Sequence, residues 1–172
     1  NGFGGDFAGF NLNTTTNQGE AKIEGYEFNY NQQFTMLPKP FNGLGVFGNY
    51  TYLTTAGTYR EGASELAKFV PRTANLGASF RWRKLETRIA WRYTGDYLVS
   101  YNANINSQNR FRPVETIDIN LSYKLSQRFG VFFDVINLKN KWPENYTGVD
   151  QGRITFSDSY GTRYNMGISG RF

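Results

Sequence analysis

The chain has 172 residues, of which 17% are aromatic and 19% charged, with no Cys, no His and a formal net charge of +5. Without Cys or His it offers no disulfide scaffold, thiolate metal site, Cys nucleophile or imidazole-based triad. Its charged fraction is below the roughly 25% of ordinary soluble domains; Asn, Thr, Ser, Gln and Gly carry the polarity, and the modest, dispersed positive charge gives no argument for nucleic acid.

No run approaches about 18 apolar residues, which excludes a membrane helix but not a membrane strand, whose signal is only about ten residues of alternation. The sequence opens at Asn1 without an initiator Met or a secretory pattern, and so reads as processed or as a piece of something longer. Taken in chain order, the pattern has a period of two. A weak run at 7–13 suggests one strand. Tyr26, Phe28, Tyr30 and Phe34 line one face of the next, and Leu44, Val46, Tyr50 and Tyr52 one face of another. From 72 to 82, Ala74, Leu76, Ala78, Phe80 and Trp82 alternate with Thr73, Asn75, Gly77, Ser79 and Arg81. From 85 to 93, Leu85, Thr87, Ile89, Trp91 and Tyr93 oppose Glu86, Arg88, Ala90 and Arg92. From 117 to 125, Ile117, Ile119, Leu121, Tyr123 and Leu125 oppose Asp118, Asn120, Ser122 and Lys124. Phe129, Val131, Phe133 and Val135 repeat the pattern, with Phe132 and Ile136 on the other side. The last run sets Tyr164, Met166, Ile168, Gly170 and Phe172 against Asn165, Gly167, Ser169 and Arg171. This is an all-β, antiparallel chain of about eight strands.

Connections alternate in length. Short ones at 37–43, 83–84 and 126–128 are interleaved with long polar ones at 55–71, 98–113 and 139–161; the turn at 13–19 is the one short connection on the long-loop side. The stretch EGASELAKF predicts a couple of helical turns before Pro71. One short end and one ragged end is the loop asymmetry of an outer-membrane barrel. Alternation by itself fits a soluble lipocalin-like barrel equally. The aromatics near strand ends (Trp82, Trp91, Tyr93, Tyr50, Tyr52, Tyr123, Phe129) lie where interfacial girdles belong, and the polar face carries Asn, Ser, Thr and Gly where a solvated exterior carries Lys and Glu. The reading is therefore an up-and-down transmembrane β-barrel wall with its apolar side toward lipid. The opposite face carries Arg81, Glu86, Arg88, Arg92, Asp118, Lys124, Asp134, Arg163 and Arg171 toward the lumen. Arg81, Arg88, Arg92 and Arg163 either pair with Glu86, Asp118 and Asp134 across neighbouring strands, the preferred reading, or meet acidic groups inside the bore or line it as a path.

Other chemical signals are weak. GLGVFG (Gly43, Gly45, Gly48) satisfies a dinucleotide-binding pattern but precedes a strand instead of a helix, and reads as a turn and a barrel face. Asn13, Asn49, Asn120 and Asn145 begin glycosylation sequons that are discounted, two of them lying in predicted strands. Glu61 and Glu65 read as solvated loop carboxylates. Enzyme chemistry and cofactors are not expected. Ligand contacts are sought on the long loops at Tyr59, Arg60, Tyr97, Tyr101, Asn104, Arg110, Arg112, Trp142, Tyr146 and Tyr160, where amphipathic aromatics with Arg and Asn suit recognition or form the outer girdle.

The order and spacing of GEAKIEGYEFNYNQQF, GLGVFGNYTY, VPRTANLGASFRW, ETIDINLSYKL, GVFFDVINLKNKWPENYTG and YGTRYNMGISGRF resembles the C-terminal part of a TonB-dependent receptor, over nearly the whole chain from Gly19. The terminal run Tyr164, Met166, Ile168 and Phe172 resembles the signal by which the barrel-assembly machinery recognises outer-membrane barrels, with Gly170 departing from the usual bulky residue. The resemblance implies a Gram-negative outer-membrane location and a 22-stranded barrel of which residues 1–172 are one segment, without the plug domain and earlier strands. It further implies TonB contact through an N-terminal part, and import of a scarce small-molecule or glycan ligand such as a siderophore complex or cobalamin. The runner-up is a stand-alone eight-stranded outer-membrane barrel of structural or adhesive role.

Overall fold

Alternation sustained over ten or so residues makes strands long enough to cross a bilayer, and the computed structural model contains them. It describes Gly9 and residues 19–57, 65–102, 104–148 and 152–170. The strands are β1 (Ala21–Gln33), β2 (Leu44–Gly57), β3 (Arg72–Trp82), β4 (Leu85–Thr94), β5 (Tyr97–Ser100), β6 (Asn109–Phe111), β7 (Val114–Lys124), β8 (Phe129–Ile136), β9 (Glu144–Thr147), β10 (Ile154–Ser157) and β11 (Arg163–Gly170). β3, β4 and β7 have 11, 10 and 11 residues, against about 9–11 for a tilted membrane strand.

Seven strands form one antiparallel sheet in the order β1-β2-β3-β4-β7-β8-β11. Its register aligns the apolar sets of successive strands. Ile89 faces Ile119, Ile119 faces Val135, and Val135 faces Tyr164; on the other flank Tyr30 faces Gly48, Gly48 faces Leu76, and Leu76 faces Trp91. Because side chains alternate across a strand, one residue of slip would put every one of these on the wrong face. Among the described residues only Ala74, Leu98, Val135 and Tyr146 are buried hydrophobics, far fewer than a soluble domain of this length would bury. Ile168 is 75% exposed and Met166 81%. Ile117, Ile119, Leu121 and Ile168 lie on one open surface instead of facing one another across an interior, as a lipocalin-like barrel would require. Among the described residues β1 and β11 are the free edges of the sheet, and the barrel is not closed.

Aromatic residues band both ends of the apolar surface. Toward the long loops, Tyr26 packs on Tyr52 at 5.3 Å and Trp91 stacks on Tyr93 at 6.0 Å between ring centroids. Toward the short turns, the Arg83 guanidinium lies 4.6 Å over the Trp82 ring. Two rings break the polar face, and both have a local reason. Phe47 pairs with Gly77 and Phe132 with Gly167. A Cβ on Gly77 would come within 2.1 Å of the Phe47 ring, and one on Gly167 within 2.7 Å of the Phe132 ring. Each phenyl ring therefore lies flat over a glycine of the next strand, and the Arg88 guanidinium closes over Phe47 at 4.0 Å.

The short turns are tight. Arg83 takes a left-handed φ of 54° in the Arg83–Lys84 turn, as two-residue hairpins require. The Ser126 hydroxyl accepts from the Arg128 and Phe129 amides at 3.2 and 3.1 Å.

Two sequence expectations change, and a third is not tested by the described residues. EGASELAKF does not form helical turns within its described part, 65–69. There the Leu66 amide donates to Thr55 Oγ1, the Lys68 amide donates to the Leu98 carbonyl, and Lys68 has φ 63°. Bonds to neighbouring loops have taken the donors that a helix would have used. The long connections are not featureless either: β5, β6, β9 and β10 build a second, four-stranded sheet from two of them. The strand expected at 7–13 and the turn after it fall largely outside the described residues.

Gly77→Ala should destabilise the folded protein by about 1–3 kcal/mol, the usual penalty for overpacking, because the new methyl meets both the Phe47 ring and the Ile89 carbonyl oxygen, the latter at 2.6 Å. Ser79→Ala, on the same face of the same strand, should be close to neutral. Urea midpoints in lipid vesicles measure both.

Candidate functional site

The second sheet, in the order β10-β9-β6-β5, sits at the long-loop end. Arg110 on β6 organises it. Its guanidinium is bidentate to Glu65, with Nη1–Oε2 at 2.8 Å and Nη2–Oε1 at 3.0 Å, and Nε donates to Asp96 Oδ1 at 2.9 Å. The Tyr146 hydroxyl on β9 donates to the other Asp96 oxygen at 2.5 Å. Arg110 thus gathers Glu65 from the first long connection, Asp96 from just past β4 and, through Asp96, Tyr146 from the last long connection. The arrangement is bidentate and partly buried, which are the conditions under which an ion pair holds geometry. The hydrogen bonds to Glu65 and Asp96 hold the Arg110 guanidinium above its ordinary range, against an opposing effect of burial. Burial, and then the Asp96 hydrogen bond, push the Tyr146 phenol up. Beside the brace, Arg112 pairs with Glu144 at 3.0 Å and Tyr97 stacks on Phe111 at 4.8 Å. A cleft of about 520 Å³ opens beneath, lined by Tyr52, Phe69, Arg72 and Tyr93 together with Glu65, Asp96 and Arg110.

This geometry sorts the loop residues singled out in the sequence. Arg110, Arg112, Tyr97 and Tyr146 are engaged in bracing the loops. Asn104 caps a 3-10 turn at Ile105–Ser107, its Oδ1 accepting from the Asn106 amide at 3.0 Å. Tyr101 is half-buried. Trp142 and Tyr160 are exposed, Trp142 donating to Asn140 Oδ1 at 3.2 Å. Tyr59 and Arg60 lie outside the described residues. Glu65 entered the sequence reading only as half of a carboxylate pair with Glu61, and Asp96 not at all; nothing in the local pattern joins them to Arg110, 45 and 14 residues away.

The polar face of the main sheet is cross-linked strand to strand. Arg81 meets Glu86 at 2.7 Å, Arg92 meets Asp118, and Asn120 Nδ2 donates to Asp134 Oδ1 at 3.1 Å. Asn29, Asn49 and Asn75 stand in one register row leading to Arg92, with Asn75 Nδ2 donating to Asn49 Oδ1 at 2.8 Å. This amide row was not singled out in the sequence, although its positions are the polar halves of the alternating runs. Lys124 and Arg163 are exposed on the same face, and Arg171 falls outside the described residues.

An open wall, apolar on one side, polar and hydrogen-bonded on the other, and capped at one end by braced loops, is the architecture of a segment of a large membrane β-barrel. The sequence matches the TonB dependent receptor-like β-barrel family over residues 1–138. The chain belongs to that family. No curated protein sequence matches it. Among solved structures it is similar to the ferric citrate transporter FecA in its unliganded form (TM-score 0.70, 13% identity, 90% of this chain and 26% of that one). It is also similar to the ferric-catecholate import receptor Fiu from E. coli K12 (0.64, 16%, 88% and 21%) and to the ferric yersiniabactin uptake receptor FyuA from Yersinia pestis (0.63, 17%, 88% and 23%). The chain thus spans about a quarter of the length of these receptor barrels.

In this receptor-family wall, Arg110→Gln should leave Glu65 and Asp96 without their shared cation. Hydrogen exchange should then quicken at amides in 65–70, 95–98 and 144–147 while β3, β4 and β7 keep their protection. Equal protection in wild type and variant would contradict a bracing role.

Proposed function

We propose that this chain is wall and outer loops of a TonB-dependent receptor in the outer membrane of a Gram-negative bacterium, taking part in energised import of a scarce ligand of the iron–siderophore class. The observation that carries this reading is the seven-stranded sheet of a receptor-family chain, with one continuous exposed apolar face and a polar face opposite. The apolar face lies in lipid. The long-loop end faces outward and the short turns face the periplasm, as in barrels of this type. In hydrocarbon each unpaired backbone group costs several kcal/mol, so the edges β1 and β11 need further strands of the same barrel.

Within this reading the polar face meets the plug domain, and TonB acts through a part of the protein outside this chain. Tyr164, Met166 and Ile168 on β11, with Phe172 beyond the described residues, serve recognition by the barrel-assembly machinery. The braced loops present ligand-contacting side chains, with Trp142 and Tyr160 the freest aromatics among the described candidates. Siderophore complexes are favoured over cobalamin and glycans because the structurally similar receptors are titled for ferric citrate, a ferric catecholate and ferric yersiniabactin.

The test is uptake of labelled ferric siderophores by Gram-negative cells that lack other receptors and express the full-length protein. Uptake should require both TonB and the proton-motive force, and Trp142→Ala with Tyr160→Ala should lower it about tenfold, the loss expected for a contact of ~1.4 kcal/mol. Energy-independent uptake, or none for any ferric siderophore, would contradict the assignment. Membrane placement is tested separately. Ile119→Arg should destabilise the protein in lipid vesicles by about 2–4 kcal/mol, the cost of a midplane lipid-facing Arg, and Asn120→Arg, one residue on, far less.

A further inference from the structure

Charge is sorted along the strands. At the short-turn end, the described residues include Lys39, Arg83, Lys84 and Arg128 with no carboxylate at ion-pair distance, and the one acid there, Glu86, is taken by Arg81 with Lys124 acting on it from further off. At the opposite end acids and bases are mixed and largely paired, as in Arg110 with Glu65 and Asp96, Arg112 with Glu144, and Lys139 with Glu115. Turns free to carry any polar residue have collected one sign of charge.

Part of that charge lines a groove. Around the β7–β8 turn, from Lys84 on one side to Ser169 and Gly170 of β11 on the other, lies an open depression of about 830 Å³, bordered by Lys84, Lys124 and Arg128, with Leu125 and Phe129 as its apolar wall. Leu125 is 51% exposed and Phe129 45%. The groove is held open by backbone bonds. The Lys84 ammonium donates to the Leu125 carbonyl at 3.0 Å, the Lys124 amide to the Lys84 carbonyl at 2.9 Å, and the Ser126 amide to the Phe129 carbonyl at 3.0 Å. One bond leaves the Lys84 ammonium two further donors. Next to it, Arg83 lies over the lipid-face ring of Trp82, which holds a guanidinium at the depth of the interfacial aromatics.

We propose that this rim is a binding site for anionic phospholipid of the periplasmic leaflet. A phosphate is held by Lys84 and Arg128 of the turns with Arg83 alongside, and the acyl chains descend against Leu125 and Phe129, while Lys124 lies on the opposite face of β7. Cations above an apolar wall at the edge of a membrane-crossing sheet match an amphiphile with a negative head; a soluble acidic segment would satisfy the charges and leave the wall uncovered. Near an anionic surface each Lys or Arg adds to the attraction, so the cluster selects lipid by charge. The proposal rests on the membrane reading given above.

The full-length protein is incorporated into nanodiscs of phosphatidylglycerol mixed with phosphatidylcholine, and retained lipid is counted by native mass spectrometry after release. The expected result is at least fivefold enrichment of phosphatidylglycerol over its bulk share. It should be lost in K84Q/R128Q and kept in K141Q/R153Q, which removes as much charge at the other end. An antiparallel β circular-dichroism spectrum and an unchanged urea midpoint certify that the K84Q/R128Q variant is folded. Enrichment absent in wild type, or unchanged in the K84Q/R128Q variant, overturns the proposal. So does variant-sensitive binding of a polyglutamate peptide without lipid enrichment, which would assign the rim to an acidic protein. A protein that stays monodisperse without detergent would instead overturn the membrane reading itself, which separates the two failures.

Discussion

Every placement in this molecule depends on the hydrogen-bonded register between neighbouring strands. A backbone that crosses hydrocarbon has no water to bond to, so each amide and carbonyl must find its partner on the next strand, and a period of two ties that pairing to the face on which each side chain emerges. The row from Ile89 through Ile119 and Val135 to Tyr164 and the row from Asn29 through Asn49 and Asn75 to Arg92 are consequences of the same ladder. The first row makes a surface for lipid and the second a wall for a polar lumen. Where a residue violates its face, as Phe47 and Phe132 do, the glycine opposite provides space for the ring to lie down, and the wall remains smooth.

The two ends of the sheet solve different problems. At the short-turn end a few residues must reverse direction without adding bulk, and Arg83 in a left-handed conformation and the Ser126 hydroxyl do so. At the other end long connections must hold a shape above the membrane. They do this with a small sheet of their own and with Arg110, which gathers carboxylates from two segments and, through Asp96, a phenol from a third. Loops braced in this way act as one body, and among the described loop candidates Trp142 and Tyr160 are the aromatics left exposed outside the brace.

The long strands could be read from the sequence because each carries its own signal. In β3, β4 and β7 strict alternation runs for nine or more positions, and the sorting of charge to one side showed which residues share a surface. The loop sheet could not be read in the same way. β5, β6, β9 and β10 have 4, 3, 4 and 4 residues, too few for a period to emerge, and their pairing is decided by contacts distant in sequence. In ELAKF, the described part of that stretch, helical propensity was overridden for the same reason, since the Thr55 hydroxyl and the Leu98 carbonyl take the Leu66 and Lys68 amides. At the site, Arg110 and Tyr146 stood out as residue types, but their work as a brace needed Glu65 and Asp96 brought alongside by the fold.

The absence of cysteine permits a direct measurement of which face meets lipid. Single cysteines placed in turn from Thr116 to Ser122 on β7 of the full-length protein, each carrying a nitroxide label, report collisions with oxygen, which concentrates in the bilayer, and with a water-soluble nickel chelate. The account predicts two curves of period two in opposite phase, with oxygen maxima at 117, 119 and 121 and nickel maxima, where water reaches, at 118, 120 and 122. Maxima in the reverse phase, or no alternation, would contradict it.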